Sequence, residues 1–414
     1  MIDLCSLENE PMLSVEAARE RIAAALEPVI GVEKTALKYA LGRVLAEPVC
    51  SPLDIPHDRN AAVDGYAFSS RDIDTAQAFR LHLAGASWAG KPFQGQLNAG
   101  ECIRIFTGAV LPREADSVVM QEFVTVDGDY TVFPAAVPAR RFVRETGEDV
   151  KSGGILCGAG KKLTAIELGL FASAGIYDVV VKRPVNIAFF STGDELTGIG
   201  KPLAPGKIHD SNRYILGGLL TDPCYCAADL GVIGDDMRQL EDALSQAALN
   251  HDVIITTGGA SVGEADFITR ILERLGEVHL WKIAMKPGKP FAFGKIGKAF
   301  FFGLPGNPVA VAVTFQQIVK PGLGRLTGLM PASPLRIKAM LTAPLKKEPG
   351  RLEFQRGILT QNADGEFFVA SAGGQGSHML GSMSASNCYI ILPADCCGVQ
   401  ANEPVWVEPF QTSL

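Results

Sequence analysis

The fold is decided by the stretch Val253-Ile254-Ile255-Thr256-Thr257-Gly258-Gly259-Ala260-Ser261-Val262-Gly263, which passes from an apolar run into a glycine-rich loop. The apolar, β-branched run is typical of a buried strand. Behind the loop, apolar residues recur at helical spacing and predict a helix over Glu264–Leu275. A strand, a tight loop and a helix in this order indicate one unit of an open α/β sheet.

The same alternation continues on both sides of this unit. Val185-Asn186-Ile187-Ala188-Phe189-Phe190 reads as another buried strand, Met237–Leu249 as a helix, and Asn307-Pro308 as a helix start with proline at the first position. Strands and helices that alternate at these lengths predict a central three-layer α/β domain over 184–330 with a mostly parallel sheet.

The rest of the chain follows a different pattern. Ser14 suits the N-cap of a helix that ends before Pro28, and Ala165–Ser173 predicts a second helix. Between them, short apolar runs separated by Gly, Asp and Pro indicate β structure, and short strands return after Pro334. The predicted fold is therefore α/β and multidomain, with an N-terminal mixed α/β linker domain over 1–52 and 150–183, a β-rich insertion domain over 53–149, the central domain, and a small β-barrel-like C-terminal domain over 331–414.

The charge balance excludes two broad classes of partner. The 414 residues include 38 Lys and Arg against 45 Asp and Glu, which gives a formal net charge of −7. Neither nucleic acid nor an anionic membrane attracts a chain of this charge, so we predict neither as a partner. A small anion would still bind where positive charge is concentrated locally.

Nothing in the sequence predicts export or membrane insertion. The first residues lack a basic segment followed by an apolar run, and no apolar stretch approaches the length of a spanning helix. The nine cysteines are scattered without zinc-like spacing. We interpret them as thiols of a reducing compartment and predict a cytoplasmic protein.

The glycine-rich loop Gly258–Gly263 is a candidate phosphate-binding element. Glycines let the backbone approach a ligand, and N–H groups near a helix N-terminus favour anions. A tight strand–helix turn would have the same composition, and the loop lacks the lysine of a P-loop. Open α/β sheets bind ligands at the carboxyl ends of their strands, which places this loop at the edge where a ligand is expected.

Several carboxylates follow predicted strands at that same edge of the sheet. They are Asp194, Glu195, Asp235, Asp236, Glu264 and Asp266. Carboxylates beside a phosphate would repel it unless a divalent cation lay between them, and Mg²⁺ is the usual choice. Capping of a helix N-terminus is the competing interpretation, and it applies most to Asp236 and Glu264.

Positive charge is concentrated in the segment Trp281–Pro290. Lys282, Lys286 and Lys289 lie there, in a predicted loop broken by Pro and Gly. The segment indicates either an anion clamp or a solvated basic turn. Gly303–Pro308 then leads into a helix N-terminus, which is a further place for an oxyanion.

Two polar segments stand out ahead of the central domain. Asp58–Ala67 contains Asp64 before a glycine, and Arg144 precedes Thr146-Gly147-Glu148-Asp149. Taken alone, both read as turns. The six histidines are dispersed, and no Ser-His-Asp or Cys-His pattern is present, so the sequence gives no support to covalent catalysis.

Across essentially the whole chain, these motifs in this order resemble the MoeA family of molybdopterin molybdenumtransferases, to which the C-terminal domain of gephyrin is related. The motifs that carry the resemblance are Asn60–Ala67, Arg104–Ala109, Gly147-Glu148-Asp149, Ser191–Leu196, Gly258–Asp266, Lys286–Gly294, Leu304–Val309, Arg351–Gly357 and Gln375–His378. The family inserts molybdate into adenylylated molybdopterin and hydrolyses the adenylate to AMP, in a Mg²⁺-dependent step. The resemblance implies that activity here, together with a MogA-like central domain.

The resemblance also implies roles for individual residues. Positions tied to catalysis in the family are Asp64, Glu195, Asp235, Asp266, Lys282 and Lys286, and the metal ligands among them are Glu195, Asp235 and Asp266. Positions tied to substrate binding are Thr107, Arg144, Asp149, Gly258, Gly259, Ser261, Pro305, Pro308 and Ser377. Molybdate is a tetrahedral dianion that needs hydrogen-bond donors, and we expect Ser377 beside it.

The family forms an elongated homodimer with its cleft between subunits. The resemblance therefore implies that Asp64 and Asp149 of one chain face the central domain of the other. It further implies transient contact with the molybdopterin adenylyltransferase and with apo-molybdoenzymes. The chain departs from the family at Val63, where methionine is usual, and at Gly234, where a basic residue is frequent. The choice between molybdate and tungstate stays open.

Two other functions would use parts of the same sequence. A molybdopterin adenylyltransferase would account for 184–330 alone, and the additional residues with the Asp64 motif argue against it. A gephyrin-like interaction scaffold would not need the acids and lysines that are intact here. Release of AMP from adenylylated molybdopterin, as opposed to pyrophosphate from ATP, distinguishes the two enzymes.

Overall fold

A computed structural model describes residues 12–71, 73–258, 271–272 and 274–410. Its helices are α1 (Val15–Ala25), α2 (Ala165–Ser173), α3 (Asn212–Leu219), α4 (Met237–Asn250), α5 (Pro308–Thr314), α6 (Lys320–Leu326) and α7 (Leu380–Ser384), with a π-helical turn over Phe315–Val319 and 3-10 turns over Leu37–Tyr39 and Gln121–Phe123. None of the helices in these ranges is long and apolar enough to cross a membrane.

The N-terminal region builds two ribbons from segments that are far apart in sequence. Their strands are β1 (Val32–Ala36), β2 (Val49–Cys50), β11 (Ile155–Cys157) and β12 (Asp178–Lys182). β1 pairs with β12 and β2 with β11, both antiparallel. Phe171 of α2 packs with Val179 and Val181 of β12 in a small core. The chain between β2 and β11 is thus inserted into this region.

The inserted chain forms a six-stranded sheet. In spatial order its strands are β7 (Ser117–Met120), β4 (Gly65–Phe68), β6 (Glu101–Ile105), β5 (Phe79–Ser87), β9 (Tyr130–Phe133) and β8 (Thr125–Asp127). Neighbours are antiparallel except β5 and β6. A ribbon of β3 (Asn60–Ala61) and β10 (Val143–Arg144) packs on the same core through Ala61. The prediction of a β-rich insertion is confirmed.

The central sheet also has six strands. In spatial order they are β16 (Tyr225–Ile233), β13 (Val185–Thr192), β17 (Val253–Thr257), β21 (Ala299–Leu304), β20 (Pro290–Ile296) and β18 (Gly276–Lys282). The first four run parallel, whereas β20 and β18 join antiparallel. A short parallel ribbon of β14 (Leu196–Thr197) and β15 (Ile208–His209) follows β13.

Alternation along β17 explains why helices cover both faces of this sheet. Ile254 packs with Leu240 and Leu244 of α4, whereas Ile255 faces the core that contains residues of α1, α3 and α5. Successive side chains of a strand point to opposite faces, so an apolar run with no polar alternation is buried on both sides. The predicted three-layer domain is confirmed. Most of the predicted helix over 264–275 lies outside the described residues.

The C-terminal region is a closed five-stranded barrel. Its strands are β22 (Ile337–Leu341), β24 (Leu352–Gln361), β25 (Phe367–Ser371), β26 (Cys388–Leu392) and β28 (Pro404–Pro409), and pairing between β24 and β26 closes it. A ribbon of β23 (Leu345–Lys346) and β27 (Gly398–Val399) adjoins it. The barrel-like prediction is confirmed.

The barrel and the first helix are both anchored to the central domain. Ile22 of α1, Phe302 of β21, and Phe354 and Tyr389 of the barrel belong to one buried core. In addition, the short strand β19 (Met285–Lys286) pairs in parallel with the start of β24. These contacts bring loops of the barrel to the carboxyl ends of the central strands.

Candidate functional site

A cavity of 230 Å³ opens beyond the carboxyl ends of β13, β17 and β21. Four parts of the chain wall it: Thr192–Leu196 after β13, Ile208–Asn212 leading into α3, Thr257-Gly258 ending β17, and Gly306–Pro308 at the start of α5. His378 of the barrel region adds a fifth side. The position is the one that the sheet topology predicts for a ligand.

Gly258 lets the loop after β17 approach the neighbouring strand end. Its φ is +88°, and a Cβ at this position would collide with the carbonyl oxygen of Thr192. Only glycine meets both demands without strain. The predicted binding residue Gly258 therefore lines the cavity as backbone. Gly259, Ser261 and Asp266 lie outside the described residues.

Two almost fully buried polar side chains line the cavity, and each has an oxygen that accepts no hydrogen bond from the described part of the chain. Asp210 is 2% exposed, and its Oδ1 accepts from Ser191 Oγ at 3.1 Å and from Arg213 N at 3.2 Å. Its Oδ2 has no hydrogen bond, although Arg213 Nε is 3.4 Å away. Asn212 is 9% exposed; its amide donates to Gly306 O at 2.7 Å, and its Oδ1 is unpaired.

Asn212 Oδ1 is the acceptor that a ligand with N–H or O–H donors could satisfy, because Asp210 Oδ2 already lies beside the Arg213 guanidinium. A buried acceptor left without a donor costs about 1–3 kcal/mol, so a ligand that satisfies it is favoured. Both residues lie at the start of α3, which begins at Asn212, and Asp210 Oδ1 accepts from its first turn.

The predicted metal ligands divide into three cases. Glu195 lines the cavity and is exposed to it. Asp235 braces the strand ends, since it accepts from Thr192 Oγ1 at 2.9 Å and from Asp194 N at 3.2 Å. Asp266 is outside the described residues, and in the ranges that are described no three His, Cys, Asp or Glu side chains cluster as a metal site.

Asp236 takes the alternative role that the sequence allows. It is the N-cap of α4 and accepts from Arg238 N and Gln239 N, both at 2.9 Å. The helix-capping interpretation is therefore confirmed for this residue.

Lys282 and Lys286 lie in strands, so the prediction of a loop is wrong for them, whereas Lys289 lies in the loop between β19 and β20. Lys282 ends β18, and its carbonyl accepts from Leu13 N at 2.8 Å. Lys286 lies in β19, and its Nζ is 3.1 Å from Oε1 of the buried Glu353. Backbone pairing with β24 and with Leu13 overrides the local effect of Pro and Gly. Neither lysine is among the described residues that line the cavity.

The loop before α5 meets the barrel. Pro305 is buried directly after β21, and Pro308 is the first residue of α5 and lines the cavity. Val309 N donates to Ser377 O at 3.0 Å, which brings the predicted residue Ser377 to the cavity edge beside His378.

Arg356 shapes the barrel loop that carries Ser377. This arginine is 1% exposed and donates to the carbonyl oxygens of Gly374, Gln375 and Gly376 at 2.8–3.2 Å. A guanidinium that satisfies three consecutive carbonyls fixes the path of the loop. The sequence places Arg356 in a family motif but does not reveal this role, because its partners lie about 20 residues away.

The remaining predicted residues, Asp64, Thr107, Arg144 and Asp149, lie in the inserted chain. Asp64 and Thr107 are in direct contact, and we call this pair the Asp64 corner. Asp64 Oδ1 accepts from Thr107 N at 2.8 Å and from Thr107 Oγ1 at 2.7 Å. These two bonds hold the pKa of the Asp64 carboxyl below its usual range. Arg144 pairs with Asn60 across the ribbon, and Asp149 N donates to Ile55 O at 3.0 Å. No residue of the corner lines the cavity of the same chain as far as it is described.

A larger cleft of 470 Å³ lies elsewhere, between β16 and α4. Its lining is apolar and amide side chains with a single histidine, His251. It lacks the acids and glycine loop of the smaller cavity, so volume alone does not identify the functional site.

Comparison with known proteins decides the family. Residues 13–175 match the MoeA N-terminal region (domain I and II), residues 188–325 a probable molybdopterin binding domain, and residues 338–410 the MoeA C-terminal region (domain IV). A molybdopterin molybdenumtransferase of Haemophilus influenzae is 42% identical over 97% of this chain and 100% of its own. The chain belongs to the MoeA family of molybdopterin molybdenumtransferases.

Other members of the MoeA family agree in sequence and in structure. A molybdopterin molybdenumtransferase of Nostoc is 35% identical over 86% of this chain and 83% of its own. The crystal structure of a molybdopterin biosynthesis MoeA protein from Pyrococcus horikoshii aligns with a TM-score of 0.84 at 28% identity, covering 97% of this chain and 100% of that one. The protein is thus a transferase of molybdenum cofactor biosynthesis.

Proposed function

We propose that the cavity binds adenylylated molybdopterin and that the enzyme inserts molybdate into it with release of AMP. The observation that carries this proposal is the cavity wall in which the Gly258 backbone lies beside the almost fully buried acceptors Asp210 and Asn212. Pterin and adenine rings both present N–H donors, which would satisfy such acceptors. The close backbone approach at Gly258 suits the phosphates of the same substrate.

The residues around the cavity fit a magnesium ion held mainly by substrate. Mg²⁺ usually takes one or two carboxylates and completes its shell with phosphate and water. Glu195 supplies one carboxylate in the cavity, and we propose that Asp235 and Asp266 support it. Bound there, Mg²⁺ would neutralise phosphate charge next to these acids. Glu195 would orient the ion, and the Asp235 brace would keep the strand ends in place.

We further propose a homodimer in which the Asp64 corner completes the site of the partner subunit. The corner holds a carboxylate that is ionised and fixed by Thr107, and as far as they are described neither the 230 Å³ cavity nor the 470 Å³ cleft of the same chain is lined by it. A fixed charged group of this kind is typical of functional sites. Lys282 and Lys286 would supply positive charge for molybdate, with Ser377 at the cavity edge.

Several finer predictions stay predictions. They are the domain limits at 52/53, 149/150, 183/184 and 330/331, a cytoplasmic location, and transient contact with the molybdopterin adenylyltransferase and with apo-molybdoenzymes.

The decisive experiment is incubation with adenylylated molybdopterin, molybdate and Mg²⁺, with AMP measured by chromatography. We expect AMP and molybdenum cofactor to form together, and both to depend on Mg²⁺. The Glu195→Gln variant should need more Mg²⁺, whereas Glu241→Gln, an α4 carboxylate outside the cavity lining, should not. Pyrophosphate release from ATP and molybdopterin, without AMP release, would replace this proposal with the adenylyltransferase function.

A further inference from the structure

A buried amide links three separate parts of the fold. Gln317 is 1% exposed and lies in the π-helical turn between α5 and α6. Its carbonyl oxygen accepts from Arg19 Nε at 2.6 Å, and its Oε1 accepts from the same guanidinium. Its Nε2 donates to Glu408 Oε1 at 2.7 Å. Arg19 belongs to α1 and Glu408 to β28, so one side chain ties the first helix to the barrel.

The chemistry of this link requires an amide in one orientation. Gln317 accepts from a cation on one side and donates to an anion on the other, which an amide does with its oxygen and its nitrogen at the same time. Glu408 has a second cationic neighbour, because Arg336 Nε is 3.5 Å from its Oε2. The ionisable groups that face Gln317 are therefore Arg19 and Glu408, with Arg336 behind Glu408. A carboxylate at position 317 would keep the contact to Arg19 and repel Glu408.

The π-helical turn places Gln317 for this task. Lys320 N bonds to Phe315 O, five residues back, so the regular helical ladder is interrupted here. Turns of this type inside helices occur frequently at functional sites. The same continuous helical segment begins at Pro308, in the wall of the cavity.

Two contacts hold the barrel against this helical segment. At its start, Val309 N donates to Ser377 O, and in its middle Gln317 bonds to Glu408. The first contact lies at the cavity, and the second lies in the π-helical turn that follows α5. Two separated hydrogen bonds along one helix add to the shared core and to the pairing of β19 with β24 in fixing the angle of the barrel.

We propose that Gln317 is a positioning residue that sets the barrel at the angle needed to keep Ser377 and His378 at the cavity. The proposal rests on the function proposed above for that cavity. Gln317 itself contacts no substrate. Its effect passes through Glu408 and the barrel to the loop that Arg356 holds in shape.

A charge swap tests this proposal. We expect Gln317→Glu to raise the KM for molybdate at least fivefold with a smaller change in kcat, because repulsion from Glu408 turns the barrel. The double variant Gln317→Glu/Glu408→Gln should restore the KM, since Gln at 408 can donate to Glu at 317 while Arg19 still donates to it. Gln246→Glu, an exposed amide on α4, is the matched control and should leave the KM unchanged.

Hydrogen exchange of peptides 308–314 and 372–380 gives a readout that is independent of substrate. Exchange should be faster in Gln317→Glu and return to normal in the double variant. If Gln317→Glu does not fold, Gln317→Met, which removes both side-chain hydrogen bonds without adding charge, replaces it in the exchange measurement and should also exchange faster.

The possible results distinguish the positioning role of Gln317 from the function proposed for the cavity. Unchanged exchange, or a double variant as impaired as the single one, overturns the positioning role. If hydrogen exchange responds as expected while the KM for molybdate stays constant, Gln317 does position the loop that carries Ser377. The same result would refute the proposal that substrate binds beside Ser377.

Discussion

The cavity and the Asp64 corner differ in how much of a binding site each one completes. Among the described residues, the cavity has walls from four parts of the central domain and one of the barrel, and the polar side chains Asp210 and Asn212 in its lining are almost fully buried. The corner has an ionised carboxylate whose partners are already in place, on a surface open to solvent. The first is built to enclose a ligand, and the second to present one charged group.

This difference shows how separate domains of one enzyme can contribute different features to a binding site. Enclosure needs several converging segments, which an open α/β sheet provides where its strands end. Presenting a carboxylate needs only a turn and two hydrogen bonds, which a small inserted sheet can supply. The Asp64 corner can complete a binding site if another surface encloses the ligand, and this is why we place it against the partner subunit.

Among the variants predicted here, a change of Gly258 should have the largest effect on activity. It tests the role of the cavity wall. Gly258→Ala would force the loop away from Thr192, and a shift of about 1 Å in an active site can cost roughly 100-fold in rate. We expect kcat/KM for AMP release to fall by about that factor. Gly200→Ala is the control, because its φ of +78° is similar but nothing lies within 4 Å of its Cβ position. Equal losses in both variants would show that backbone strain alone is responsible.

Removing one unpaired acceptor should have the next largest effect. Asn212→Leu deletes Oδ1 at similar volume, and we expect KM for the adenylylated substrate to rise roughly 10- to 100-fold, as loss of a buried hydrogen bond predicts. The melting temperature should change little, because two effects on stability offset each other. Loss of the hydrogen bond to Gly306 destabilises the fold, whereas removal of a buried oxygen that has no partner in the described residues stabilises it. Asn250→Leu, at the exposed end of α4, is the control. A large drop in melting temperature with unchanged KM would give Asn212 a purely structural role.

Mixing two impaired variants at subsaturating substrate tests whether the corner and the cavity meet across subunits. In a heterodimer of Asp64→Asn and Asn212→Leu chains, one composite site is intact and the other carries both changes. Random exchange of subunits should therefore restore about a quarter of wild-type activity in a symmetric dimer. Activity that stays at the level of the separate variants, with exchange verified by mass spectrometry, would place both halves of the site in one chain.

The smallest effect should come from loosening the corner. Thr107→Val removes the hydroxyl bond to Asp64 but keeps the N–H bond, so the pKa of Asp64 should rise toward its ordinary value. Because the folded pKa is lowered in the wild type, the carboxylate stays ionised to more acidic pH. The acidic limb of the pH–kcat/KM profile should therefore move to higher pH in Thr107→Val, with little change near neutrality, where the carboxylate is ionised in both proteins. Thr107→Ser, which keeps the hydroxyl, should retain the wild-type limb.

Much of the fold could be predicted because local pattern and final burial agree. The apolar runs of β13 and β17 have no polar alternation, and both strands are buried on two faces. The lysine segment shows where this logic fails. Pro287 and Gly288 predict a loop, but pairing with Leu13 and with Leu352 in β24 makes strands of the residues around Lys282 and Lys286. Such partners are remote in sequence, so no local rule finds them.

The candidate site likewise has features that could be predicted from the sequence and features that could not. Its glycine, its carboxylates and the Asp64 motif are visible in the sequence, because each stands directly after a predicted strand or in a polar turn. Sequence by itself also determined the family, the domain types and the position of Gly258, since these depend on residue order and on the steric freedom of one glycine. Only the tertiary structure decided that Asp210 and Asn212 lie almost fully buried in the cavity lining, that Asp235 joins two strand ends, and that Gln317 joins α1 to the barrel. Hydrogen bonds and burial depend on which distant segments pack together, and that is settled only when the whole chain is folded.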